Sequence, residues 1–279
     1  MSELMEHFSN LLADEEQINA QIAIAMKQIC ESARIGRSEF ESTFTGITYA
    51  TWRNYLNPAY KNSRSVAVLA ALSWYTGVSM NSFYLGEKLC AFLGVSQEGL
   101  RLLTLISQLH DESFEIACQM AFGLIDEDKK DLVRESYLKA RLLHREIAGI
   151  CRFPRPLDLN SFSQDYKRSC AVGICRLQNK LGYSDAQMAD ILGVSEHRYI
   201  RLSDPEDELP IPVFVAVRFK VKFQLKETSF ILDDMSEYPD FAHLRRFQDA
   251  RDRIIRPLLE HLSSEAAARL HRALLNLFW

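Results

Sequence analysis

Two short stretches place polar side chains at helical spacing on one face. In ITYATWRNYL, a helix beginning near Thr48 turns Trp52, Tyr55 and Leu56 inward and leaves Tyr49, Ala50, Thr51, Arg53 and Asn54 outward, a face that can exchange hydrogen bonds and make methyl contacts. In VSEHRYIRL, entered through Ser195, the inward side is Val194, Tyr199 and Leu202, and the outward side holds His197, Arg198 and Arg201. Arginine can meet the edge of guanine with two parallel hydrogen bonds, so this is recognition chemistry and not bond-making chemistry. The loops that follow differ in sign. Residues 57–65 carry Lys61, Asn62, Ser63 and Arg64 with no acid, which suits a phosphate, whereas SDPEDELP carries Asp204, Glu206, Asp207 and Glu208, each of which would repel one.

Nothing in the sequence points to catalysis, a cofactor or a metal. The seven histidines are scattered, with no HExxH or paired-ligand spacing, and there is no GxGxxG, GxxxxGK[ST] or GxSxG. Six cysteines without a CxxC pair fit free thiols in a reducing compartment, and Cys170 and Cys175 read as small core residues and not as zinc ligands.

The elements that must position these faces are helical. Apolar residues recur every three or four positions in INAQIAIAMKQICESA, SVAVLAALSWYTG, EGLRLLTLISQL, KKDLVRESYLKARLLHREIAGI and HLRRFQDARDRIIRPLLEHL. VFVAVRFKVKF alternates as a strand would, but its place after Pro212 argues for a helix. RFPRPLDLNSFS, residues 152–163, breaks the helical period and divides the chain. Net charge is −4 overall, yet residues 18–90 and 166–226 each sum to +3, against −5, −3 and −2 for 1–17, 91–165 and 227–279. Two basic islands in an acidic frame are what local nucleic-acid contact needs, because the contacting face and not the total charge sets the potential. The acidic first 17 residues are unlike a secretion signal and no apolar run is long enough to span a bilayer, so a cytoplasmic protein without a membrane partner is expected.

The two halves repeat one another. MKQICESARIG, RSEFESTFTG, ITYATWRNYL, NPAYKNSRS, VAVLAALSWYTG and VSMNSFYLG run in the same order as RLQNKLG, SDAQMADILG, VSEHRYIRL, a prolyl loop, an apolar helix and KETSFIL. This order resembles the Cro and lambda-repressor-like (XRE) family of five-helix DNA-binding domains, over about residues 20–86 and 168–232. The ILGVS turn is the closer match; TGIT is looser and one residue shorter than the usual pattern. The resemblance implies an all-α fold with two helix-turn-helix domains, 18–90 and 166–232, a helical connector at 91–165 and a helical C-terminal segment at 233–279. It further implies that the third helix of each copy reads base edges, while the start of the second helix and the loop after the third hold phosphates. The implied DNA-binding residues are Arg37, Ser38, Tyr49, Thr51, Arg53, Asn54, Lys61, Asn62 and Arg64, with Ser195, His197, Arg198 and Arg201 in the second copy, where the acidic loop puts contact in doubt. The expected protein is a bacterial or phage transcriptional regulator on duplex DNA, acting as a homodimer; the apolar stripe of Leu270, Leu274, Leu277, Phe278 and Trp279 either packs against its own subunit or forms the dimer contact. The alternative is an adaptor or anti-repressor that uses the same folds to hold another protein.

Overall fold

A computed structural model describes residues 12, 14–84, 92, 94–143, 152–225 and 235–278. The described residues form fourteen helices and a single two-stranded sheet, an all-α chain. In order these are α1 (Glu15–Ser32), α2 (Arg37–Thr43), β1 (Phe44–Thr45), α3 (Tyr49–Tyr55), α4 (Val66–Thr76), α5 (Met80–Tyr84), α6 (Gln97–Ile106), α7 (Asp111–Gly123), α8 (Glu127–Leu143), β2 (Leu157–Asp158), α9 (Leu159–Leu181), α10 (Asp185–Leu192), α11 (Glu196–Ser203), α12 (Val213–Lys222), α13 (Pro239–Leu259) and α14 (Ser264–Phe278). KETSFIL, His144, Cys90, Cys151 and Trp279 lie outside the described residues.

The chain divides into two compact units, Met1–Tyr75 with Cys151–His243 and Thr76–Ile150 with Leu244–Trp279. This differs from the boundaries expected from sequence, which kept the connector at 91–165 apart from the segment at 233–279. The reason is burial. Leu100, Leu102, Leu103, Leu105 and Ile106 give α6 an apolar face that must be covered, and α14 covers it with Ala266, Ala267, Leu270 and Leu274. Leu270 and Leu274 are 1% and 0% exposed, so this part of the stripe packs within its own unit, while Leu277 stays outward. Burying a leucine is worth roughly 1.5–3 kcal/mol wherever the covering surface comes from, and here it comes from the same chain.

In the first unit, each helix that carries a candidate face is set on its own core. Phe40 of α2 and Trp52 of α3 stack with centroids 5.0 Å apart, and Phe44 lies 5.9 Å from Trp52. The second repeat uses Met188, Ala189, Leu192, Tyr199 and Leu202 for the same purpose, with the Tyr199 hydroxyl donating to Gln178 Oε1 at 2.9 Å. VFVAVRFKVKF is a helix, as its position requires: residues 213 to 221 are all buried, so the alternation reflects a helix enclosed on every side. The break at 152–163 is shorter than its composition suggests. Leu157–Asp158 pairs in parallel with Phe44–Thr45, and α9 begins at Leu159 because Asp158 caps it, accepting from the Asn160 N–H at 2.9 Å.

Candidate nucleic-acid interface

Residues separated by a constant 147 positions correspond in the two repeats. Gly46 and Gly193 both turn the chain through left-handed backbone, at φ 86° and 64°. Thr48 and Ser195 both cap the next helix, accepting from Thr51 N–H at 3.2 Å and Arg198 N–H at 3.3 Å. Trp52 and Tyr199, each 1% exposed, anchor that helix inward. A side chain is strained at both: a β-carbon on Gly46 would come within 2.6 Å of Asp158 Oδ1, and one on Gly193, in left-handed backbone, within 3.0 Å of Arg218 Nη1. Ahead of these turns the repeats differ. From cap to cap, Gly36 to Thr48 is twelve residues and Ser184 to Ser195 eleven, so beside its counterpart the first turn is one residue longer and not shorter. The extra residue is absorbed by the extended pair Phe44–Thr45, which β2 then holds.

On α3, Ala50, Arg53 and Asn54 are exposed and Thr51 half-buried; Tyr49 is half-buried, its ring 5.7 Å from Phe40 with the Arg37 guanidinium 6.0 Å above it. Lys61, Asn62, Arg37 and Ser38 are exposed, but Arg37 is tied to Glu41 at 2.8 Å and Asn62 donates to the Tyr60 hydroxyl at 3.1 Å. Arg53 and Lys61 form no ion pair among the described residues. Arg64 corrects the sequence reading, which gave it a phosphate. Its side chain is 0% exposed, with Nε donating to Tyr55 O at 2.7 Å and Nη2 to Asn57 O at 2.6 Å. Burial pushes its pKa down. The loop must fold back under α3 with two inward carbonyls, and a long cation satisfies both better than water can in a closed space.

On α11, His197 is exposed, Ser195 is spent on the cap, and Arg198 is half-buried with its guanidinium 5.4 Å from the Phe214 ring. Arg201 is exposed but grips Asp207 with both prongs, Nε to Oδ2 at 2.8 Å and Nη2 to Oδ1 at 3.2 Å. That hydrogen bond, with a second from the Leu209 N–H, holds the Asp207 carboxyl below its ordinary range. Asp185 at the start of α10 is also satisfied, accepting from Gln178 Nε2 at 2.7 Å.

The loops after α3 and α11 share a frame that the charge pattern hides. Asn57 Oδ1 accepts from the Ala59 N–H at 3.0 Å, and its counterpart Asp204 Oδ1 accepts from the Glu206 N–H, also at 3.0 Å. The carbonyl of Asn57 takes a hydrogen bond from buried Arg64, and that of Asp204 from buried Lys167. Asp204 is thus part of the turn, with its carboxylate still charged. The signal was present in Asn57-Pro58 and Asp204-Pro205, since Asx side chains before proline close such turns.

Elsewhere, several charged groups are paired internally. In the second unit Asp252 accepts from Ser79 Oγ at 2.7 Å, and Arg251 donates to Leu109 O and Asp111 Oδ1 while lying 4.4 Å from the Phe247 ring. Among the described residues no group of His, Cys, Asp and Glu could hold a metal, and no helix is long and apolar enough to cross a membrane. Cys30 and Cys118 are buried thiols whose pKa values burial raises to about 12, so they are poor nucleophiles at neutral pH. No family model, curated protein or solved structure matches the chain.

Proposed function

We propose that the chain is a sequence-specific DNA-binding regulator, with the two repeats acting as helix-turn-helix domains and α3 as the principal reader. One observation carries this: α3 is capped and anchored from behind by Trp52, while Arg53 and Asn54 stand exposed in front, with Lys61 on the adjoining loop. Arg53 and Asn54 have the donor patterns that guanine and adenine edges accept, and Lys61 has the point charge that a phosphate attracts. A homodimer formed through the terminal stripe would rest on its outward part, Leu277, since Leu270 and Leu274 are covered.

The adaptor reading is favoured by one feature of α11, where Ile200 is 47% exposed between Glu196 and an Arg201 already held by Asp207. Titration of a random-sequence duplex with the full chain separates the two readings. Binding that falls steeply as salt rises, and that Lys61→Ala weakens for all sequences alike, supports DNA; no binding at low salt leaves the adaptor.

A further inference from the structure

The two repeats are joined by a bridge whose two hydrogen bonds interchange when each residue is replaced by its counterpart. Ser65 and Pro212 form an antiparallel bridge in which Val66 N–H donates to Ile211 O at 3.0 Å and Val213 N–H donates to Arg64 O at 2.9 Å. Exchanging 64 with 211 and 66 with 213 turns one hydrogen bond into the other, as a local two-fold axis through the bridge would.

Two further pairs of contacts follow the exchange element by element, though not residue by residue. The start of α1 lies against α12, where Arg218 Nη1 donates to Glu15 Oε1 at 3.2 Å; the start of α9 lies against α4, where Phe162 meets the Trp74 ring at 5.9 Å. The chain ahead of α1 is held to the turn between α10 and α11 by Arg218, which donates to Leu12 O at 2.7 Å and to Gly193 O at 3.3 Å. The chain ahead of α9 reaches the corresponding turn of the first repeat, where Leu157–Asp158 pairs with Phe44–Thr45. Each repeat thus lends the start of its first helix to the other.

A two-fold axis constrains the readers. Whatever component the outward face of α3 has along the axis, the outward face of α11 shares, so the two cannot look toward opposite ends of it. Resting on the DNA-binding reading above, we infer that one chain presents both faces to one duplex and reads two half-sites, the task that a symmetric dimer divides between two subunits.

The half-sites must be unlike. Ala50, Thr51, Arg53 and Asn54 have as counterparts His197, Arg198, Ile200 and Arg201, so no base-facing side chain is repeated. The fork from Arg201 to Asp207 does not bar α11 from its half, because the arginine side chain is 46% exposed and pairs in such settings exchange readily. The occupant is therefore a duplex carrying two different blocks about one helical turn, roughly 10 bp, apart.

Selection by the full chain from a random-sequence duplex pool tests this, with the mass of the complex measured on a selected duplex. Two unlike blocks spaced about 10 bp centre to centre, one chain per duplex, are expected. Arg53→Ala should flatten the preference in one block alone and Arg198→Ala in the other alone, with the helix content of both variants unchanged. A single enriched block, or an inverted repeat holding two chains, overturns the single-chain inference and leaves DNA binding standing. No enrichment and no salt-sensitive binding overturns both.

Discussion

The loop after α3 and the loop after α11 are built alike and charged oppositely. Both open on an Asx-proline pair, close the same side-chain turn, and have the first carbonyl satisfied by a buried cation, Arg64 in one and Lys167 in the other. At the tip Ala59, Tyr60 and Lys61 stand against Glu206, Asp207 and Glu208, of which Asp207 also accepts from a backbone N–H, that of Leu209. Positions that satisfy buried backbone groups are set by the fold, whereas tip positions are open to be set by the partner.

The largest test of that division is Arg64→Ala. It leaves the Tyr55 carbonyl without its donor, takes one of two donors from the Asn57 carbonyl and empties a closed space, and should cost about 2–5 kcal/mol, read as a fall in unfolding midpoint. A loss of DNA binding without a loss of stability would return Arg64 to the phosphate. Arg53→Ala comes next: specific affinity should weaken by about 1–3 kcal/mol with stability unchanged, if α3 reads a base. Equal affinity for selected and random duplexes in the parent chain would contradict it.

Smaller still is Asp207→Asn, which releases Arg201 and should raise affinity for random duplex a few-fold at low salt, with the gain shrinking as salt is added. Unchanged affinity would place the α11 loop clear of the phosphates. The smallest effect is in pH. A carboxyl held low by Arg201 contributes fully above the ordinary aspartate value of about 3.9 and is lost only as pH falls through its lowered value. The difference between parent and Asp207→Asn should therefore be the same at pH 7 as at pH 5; a difference that vanishes by pH 5 would mean the fork is not what restrains Arg201.

Much of the scaffold could be read from sequence, because Gly46, Gly193, Thr48, Ser195, Trp52 and Tyr199 are each dictated by local backbone or by helical spacing. What stayed hidden depended on distant partners. Arg64 has the same composition signal whether it faces a phosphate or two carbonyls, and only the path of the loop beneath α3 decides which. Leu270 and Leu274 form the same stripe whether a second chain or α6 covers them. Asp207 counts as a repulsive charge until its distance from Arg201 is known. The reciprocal pairing at Ser65 and Pro212 was out of reach too, since it joins residues with no pattern in common.

The most direct measurement is the slope of log affinity against log salt for the parent, Lys61→Glu and Glu208→Lys on one random-sequence duplex. These two substitutions exchange charge at counterpart positions on loops of one design. A steep fall is expected for the parent, weaker binding with a slope shallower by about one unit for Lys61→Glu, and tighter binding with a steeper slope for Glu208→Lys. A parent chain that does not bind at low salt, or three proteins with one common slope, would contradict it.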